Sequence, residues 1–284
     1  QPIGEALLEG GLQAGAIGVM AVIAPTGRNG MEPPPAAAAA MVQADVLVCP
    51  TKYSLSHTQA RLAATRAGAR VGTMPGIHPA MFFDGPIAAD YAEVERRTLA
   101  LQTLLTRAST ARIVTGEGSE LRFSIAGRDG LASTGRLATR GAFGNLPSGE
   151  AYLAPVEGTA EGELIVNASC AMLGRLEAPM RLRISGGNLV GAEGPDGRRL
   201  LEALGDRPEA RNVAEFGIGT NEKARITGVI LEDEKTIGTI HIAFGDNSTF
   251  GGTVQAGVHI DTVIQGPEVF LDDIQILGGG RLLV

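Results

Sequence analysis

Along the first hundred residues, short apolar runs alternate with amphipathic stretches. EALLEGGLQ reads as a helix, GAIGVMAVIAP as a strand, and ADVLVCP as a second strand. Between the two strands, PPP (33–35) followed by AAAAAM (36–41) predicts a helix, because proline suits a first turn and cannot continue one upstream. HTQARLAATRAGA predicts a further helix, ARVGTMPG a short strand, and ADYAEVERRTLALQTLLTRA a long amphipathic helix over 90–108. Short, nearly continuous apolar strands alternating with helices predict an α/β N-terminal domain, residues 1–108, with a mostly parallel sheet.

Beyond residue 108 the period changes. ARIVTGEGSELRFSIAG, GELIVNASCAML, PMRLRISGGNLVGAEG, ARITGVILED, GTIHIAFG and PEVFLDDIQILGGGRLLV are strand patterns joined by Gly, Asp and Asn turns. One helix, GRRLLEALGD (197–206), interrupts them. Residues 109–284 therefore predict an α+β, largely antiparallel β domain, the one that carries the candidate metal ligands. Its turn density also accounts for the 40 glycines, since a 44% apolar fraction argues against disorder.

Composition narrows the function. A net charge of -7 with only 4% aromatic residues and no Trp gives no basic or stacking footprint, so neither nucleic acid nor an anionic membrane surface is an expected partner. Cys49 and Cys170 lie far apart in apolar runs without a CxxC spacing and read as buried reduced thiols. With no secretory signal pattern and no apolar run of membrane-spanning length, a cytoplasmic, soluble protein is expected. Gln1 adjoins a helix-like pattern, which leads us to expect a trimmed or processed segment upstream.

The chemistry gathers between Glu215 and Asp261. His259 and Asp261 are two residues apart, so an extended strand points both to one face. His241 stands in TIHIAFG and alone reads first as a satisfied core histidine, a reading weakened by His259 and Asp261 at a distance that one hairpin connection can close. Glu215 heads the apolar stretch AEFGIG, where an unpaired carboxylate is costly and a cation or hydrogen-bond network is required. Glu150 and Glu157 lie around Pro and Gly turns, and each reads either as a ligand or as a solvated loop carboxylate. His57 and His78 sit by a helix start and a Gly/Pro turn and read as structural. No nucleophile elbow, P-loop or dinucleotide fingerprint is present.

The blocks SLSHTQARLAATRAGARVGTMPGI, GNLPSGEAYLAPVEG, AEFGIGTN, LEDEKTIGTIHIAFGDN and VHID resemble, in order, those of the aminopeptidase T family of metallo-aminopeptidases, covering about residues 40 to 270. The resemblance implies two divalent cations (zinc, cobalt or manganese) held by Glu150, Glu215, His241, His259 and Asp261. It implies a closed homodimer acting on short peptides, with a bridging water attacking the peptide carbonyl and Glu215 moving the proton. Where the family carries a tyrosine after its first metal histidine, this chain has Ser248, a candidate substitute in catalysis. Two other readings follow from the same residues. One is a mononuclear iron(II) ring-cleaving dioxygenase of the dihydroxypyridine type, on a related fold, using His241, His259 and Asp261; the other is a metal-binding homologue without turnover.

Overall fold

A computed structural model describes all 284 residues. The chain divides into two compact units, Gln1–Ala88 with Gly135–Ser148, and Ala89–Thr134 with Gly149–Val284.

The first unit carries a three-stranded parallel sheet of Val46–Cys49, Arg70–Thr73 and Phe143–Asn145, in that order. The helix Gln59–Ala67 joins the first two strands. Thr58 caps its start by accepting from the Arg61 N–H, and Gly68, at φ 105°, ends it in the left-handed conformation that glycine alone enters freely. Met41, Ala60, Ala64, Ala69 and Val71 form its small core. The strand expected in GAIGVMAVIAP does not form: residues 15–25 join no ladder, and Ile17 and Val19 are exposed. An apolar run without a partner strand leaves its backbone groups unpaired, so hydrophobicity alone did not make it a strand.

The helix Tyr91–Arg107 starts where Asp90 accepts from the Ala92 and Glu93 N–H groups. Its buried stripe, Val94, Thr98, Leu101 and Leu105, has the spacing of one helical face. The sequence pattern placed this helix at the end of the first domain, but its bonds belong to the second unit. Thr98 shares a 2.7 Å hydroxyl contact with Thr220, and Arg97 lies 2.6 Å from Glu222. Residues 135–148 return to supply the third parallel strand of the first unit, which a single boundary near residue 108 does not capture.

The second unit contains two antiparallel sheets. The larger has eight strands, running from Asn188–Ala192 through Glu161–Val166 and Glu120–Ser124 to Arg281–Leu282. The other has seven, with Ser169–Cys170, His259–Gln265, Thr239–Gly245, Val213–Gly219 and Glu150–Leu153 adjacent in that order. Leu121, Phe123, Leu164 and Leu182 of the first sheet and Phe216, Ile218, Ile240, Ile242, Phe244 and Ile260 of the second belong to one buried apolar cluster. Phe123 meets Phe216 edge to face at 5.4 Å. The interrupting helix is Pro195–Leu204, close to its expected place. No helix is long and apolar enough to cross a membrane.

Phe216 is fully buried at this contact. Phe216→Ala is expected to cost about 3–5 kcal/mol, read as a lowered midpoint in urea unfolding.

Candidate metal centre

Strand alternation sorts the seven-stranded sheet into two chemistries. Ile240, Ile242 and Phe244 enter the core, which turns Thr239, His241 and Ala243 to the other face. Register extends that face sideways. Ala243 pairs with Glu215 on one side and Asp261 on the other, His241 pairs with Gly217, Gly245 with His259, and Gly219 with Glu150. Glu150, Glu215, His241, His259 and Asp261 therefore share one face across four adjacent strands.

Two glycines make the room. A Cβ on Gly217 would stand 2.1 Å from the Cε1 of His241, so the imidazole occupies the space a side chain would take. A Cβ on Gly219 would stand 2.1 Å from the Thr236 carbonyl oxygen, because the 235–236 backbone crosses that strand. The crossing is fixed by two bonds: the Asn221 N–H donates to the Lys235 carbonyl at 2.9 Å, and Ile237 N–H donates to the Asn221 carbonyl at 3.1 Å. It delivers Lys235, fully buried, to a Nζ–Oε1 distance of 2.7 Å from Glu150, and the same ammonium pairs with Glu234.

His241 Nε2 lies 3.1 Å from Glu215 Oε1 and 3.7 Å from Glu150 Oε2. His259 Nε2 lies 3.3 Å from both Glu215 Oε2 and Asp261 Oδ1, while its Nδ1 is 2.8 Å from the Asp246 carbonyl. Glu215 thus joins the two imidazoles, and the Asp246 carbonyl orients one of them, as ligating histidines commonly require. The donor atoms of Glu150, Glu234 and His241 all come within 4.8 Å of one another, with His259 and Asp261 adjoining through Glu215.

The titration of these groups reflects crowding. Burial disfavours a charged His241, but the hydrogen bond and charge of Glu215, with Glu150 and Glu234, outweigh it and raise its pKa to about 9. His259 is raised well above its usual value against the same opposition from burial, chiefly by Asp261 and Glu215. Burial pushes Glu234 up to about 7 although Lys235 pulls the other way. Glu215 and Asp261, whose burial works against ionisation, are held low by the two imidazoles.

The donor set fits a divalent metal. Glu150 Oε2 and His241 Nδ1 are buried without a hydrogen-bond partner, and two imidazoles among carboxylates suit an ion that replaces imidazolium protons.

All five expected ligands lie on this face. Ser248 does not turn to the cluster: its hydroxyl donates to Asp246 Oδ1 at 2.8 Å and caps a loop. Glu157 pairs with Arg128 and accepts from Asn247 and Thr253. His57 and His78 belong to the other compact unit. Sequence reasoning passed over Glu234 and Lys235, both in the charge run LEDEK, which reads as a solvated surface. It also passed over Tyr152 and Phe250, which meet edge to face at 6.0 Å, with Phe250 edge-on to His259 at 5.7 Å. Of the expected thiols, Cys170 is buried and Cys49 half-buried; both are free.

Residues 13–284 match the model of the NicX family, described as 2,5-dihydroxypyridine 5,6-dioxygenase. The chain belongs to this family. A curated relative, the 2,5-dihydroxypyridine 5,6-dioxygenase of Pseudomonas putida, is 23% identical over 205 residues, 66% of this chain and 58% of the relative. The chain therefore spans less than two thirds of that relative's length. A solved structure of 2,5-dihydroxypyridine dioxygenase from Pseudomonas putida matches with TM-score 0.76 and 22% identity, over 88% of this chain and 74% of that one. Wild-type AmpT from Thermus thermophilus matches with TM-score 0.66 and 19% identity, over 87% and 78%.

Membership of the NicX family overturns the aminopeptidase T assignment, and with it the hydrolase activity, the peptide substrate and the bridging-water mechanism. The blocks shared with aminopeptidase T are accounted for by a shared fold. The chain holds a donor group for a metal, whereas nothing supports the expected pair of zinc, cobalt or manganese ions.

Because His241 and Glu234 titrate higher in the folded chain than unfolded, each adds stability that is full below its unfolded pKa and lost as pH rises through its folded one. As pH rises, metal-free protein should lose the Glu234 contribution between about pH 4.5 and 7 and the His241 contribution between about pH 6.5 and 9, and divalent metal should restore stability while releasing protons. Differential scanning fluorimetry and calorimetry in buffers of different ionisation enthalpy check both. Lys235→Met strands Glu150 and Glu234 without their cation and should cost about 3–5 kcal/mol in chemical denaturation of the metal-free protein.

Proposed function

We propose that this chain is a mononuclear iron(II) dioxygenase that opens the ring of a dihydroxylated pyridine, adding both atoms of O2 across the ring bond that breaks. The observation that carries the proposal is the family match over nearly the whole chain. The site is consistent with it, since two imidazoles and a carboxylate on one strand face are the donors a non-haem iron(II) centre uses.

In this reading His241, His259 and Asp261 would hold the ion, the Asp246 carbonyl fixes the His259 ring through its Nδ1, and Glu215, which meets the Nε2 atoms of both imidazoles, stands beside the ion as a further carboxylate. Iron(II) bound there supplies the one-electron chemistry that lets O2 react with an organic ring. The chain's own groups prepare that step. Lys235 occupies Glu150 Oε1 and leaves Oε2 as its free donor toward His241. Glu234, near neutrality at about 7, can hold or release a proton at working pH, as deprotonation of a ring hydroxyl demands. Burial of the Glu150 and His241 side chains keeps most water from the donors, and His259, about 30% exposed, marks the open side.

The test is anaerobic loading with iron(II), then oxygen-electrode measurement with 2,5-dihydroxypyridine. The expected result is about one iron per chain, one O2 consumed per ring opened, and loss of both iron and turnover in His259→Ala. Full iron occupancy without oxygen uptake overturns the proposal.

A further inference from the structure

Four buried side-chain atoms have no hydrogen-bond partner: Glu150 Oε2, Ser169 Oγ, Thr236 Oγ1 and His241 Nδ1. Leaving such an atom unpaired costs about 1–3 kcal/mol, so each calls for an explanation. Glu150 Oε2 belongs to the donor set already described. Ser169 pairs with Val263, two strands from His241 and on the side away from which the His241 ring leans. Thr236 and His241 remain, and they are neighbours.

The His241 ring leans over Gly217: a Cβ there would lie 2.1 Å from Cε1, 2.2 Å from Nε2 and 2.9 Å from Nδ1. Two residues along that strand and on the same face, a Cβ on Gly219 would meet the Thr236 carbonyl oxygen at 2.1 Å. Same-face positions of one strand are about 6–7 Å apart, so the His241 ring and the Thr236 backbone fill adjacent clearances. Thr239 fixes the same placement from the other strand. It lies two residues before His241 on the same face, and its hydroxyl and its N–H both donate to the Thr236 carbonyl, at 2.7 and 3.2 Å. Thr236 is thus the next residue along the face from His241, on the histidine's own strand and on the adjacent one. The Thr236 N–H donates to the Asp233 carbonyl at 3.2 Å, so its backbone is held and its side-chain torsion is the freedom that remains.

The chemistry of the imidazole supplies the pairing. Nε2 is the nitrogen turned to Glu215 and Glu150, at 3.1 and 3.7 Å, and so the one that faces a metal ion. A neutral imidazole that binds through Nε2 carries its proton on Nδ1, and that N–H needs an acceptor to fix the ring and its tautomer. We propose that Thr236 is the positioning residue of His241, its hydroxyl accepting from the Nδ1–H when Nε2 binds a metal ion. The proposal rests on the ligand role read for His241 and not on ring cleavage. A one-step rotation of the Thr236 side chain, or one intervening water, makes the contact. The hydroxyl keeps its own hydrogen free to donate elsewhere. His259 has its counterpart in the Asp246 carbonyl, 2.8 Å from its Nδ1, so each imidazole is held from behind by a different group.

The test uses zinc, a redox-silent and diamagnetic probe, titrated in competition with a chelator into the full chain. Thr236→Val keeps the shape and removes the hydroxyl; Thr236→Ser keeps the hydroxyl. Thr236→Val should bind zinc on the order of tenfold more weakly and lose the slowly exchanging, downfield Nδ1 proton of the zinc-loaded protein in proton–nitrogen correlation spectra, and Thr236→Ser should restore both. Without metal the hydroxyl is unpaired, so metal-free Thr236→Val should melt no lower than metal-free wild type, a result that a purely structural threonine does not give. Wild-type zinc affinity with the Nδ1 proton signal retained in Thr236→Val overturns the proposal, as does a weakened affinity that Thr236→Ser fails to restore. Wild-type zinc affinity in His241→Ala removes the ligand role itself, and the proposal with it.

Discussion

Four carboxylates set on or against one face of an inner sheet repel one another unless cations stand among them. Glu150, Glu215, Glu234 and Asp261 face only Lys235 and two imidazoles, and the imidazoles become cations by taking up protons. Together with burial, this constraint sets the direction of the shifts at the site. The imidazoles rise, Glu215 and Asp261 beside them fall, and burial pushes Glu234 up to about 7. A divalent ion does the same work with a compact charge and frees the imidazoles of protons, so the site is arranged for a cation whether or not one is bound.

The sheet makes the crowding possible. Its inner face spends Phe216, Ile240, Ile242 and Phe244 on the core, so the strands are held in register by burial that the charged face cannot supply. A one-residue slip would carry His241 into that core. Gly217 and Gly219 then remove the side chains that would keep an imidazole and the Lys235 backbone at a distance. Position on the sheet and absence of a side chain matter as much as the donors.

These facts mark what the sequence could reveal. The alternation in TIHIAFG and the two-residue step from His259 to Asp261 were legible, because strand period converts spacing directly into facing. So was Glu215, through the cost of a carboxylate at the head of an apolar stretch, whereas for Glu150 only the family blocks favoured a ligand over a solvated loop carboxylate. Lys235 and Glu234 were not legible. A run such as LEDEK is solvated in most settings, and only the long-range bond between Asn221 and Lys235 turns it inward. The helix at 91–107 was found by its period, but its unit was not, because the Thr98 contact with Thr220 spans more than a hundred residues. The run at 15–25 failed for the converse reason, having hydrophobicity without a partner strand.

The reaction was misjudged on the same physical grounds. Blocks such as GNLPSGEAYLAP and LEDEKTIGTIHIAFG encode a sheet face, its glycine clearances and its charge compensation, which any chemistry run on this face requires; they carry no information about the bond to be broken. That information resides in what borders the donors. Here the border has no serine aimed at the cluster, because Asp246 holds Ser248, and it has two aromatic rings, Tyr152 and Phe250, edge to face with each other. Polar groups placed to stabilise a tetrahedral oxyanion would favour hydrolysis, whereas aromatic walls favour a planar ring. Ser248 and Phe250 lie in the segment after the His241 strand, where the chain departs from the peptidase pattern, and Tyr152 lies on the Glu150 strand beside it.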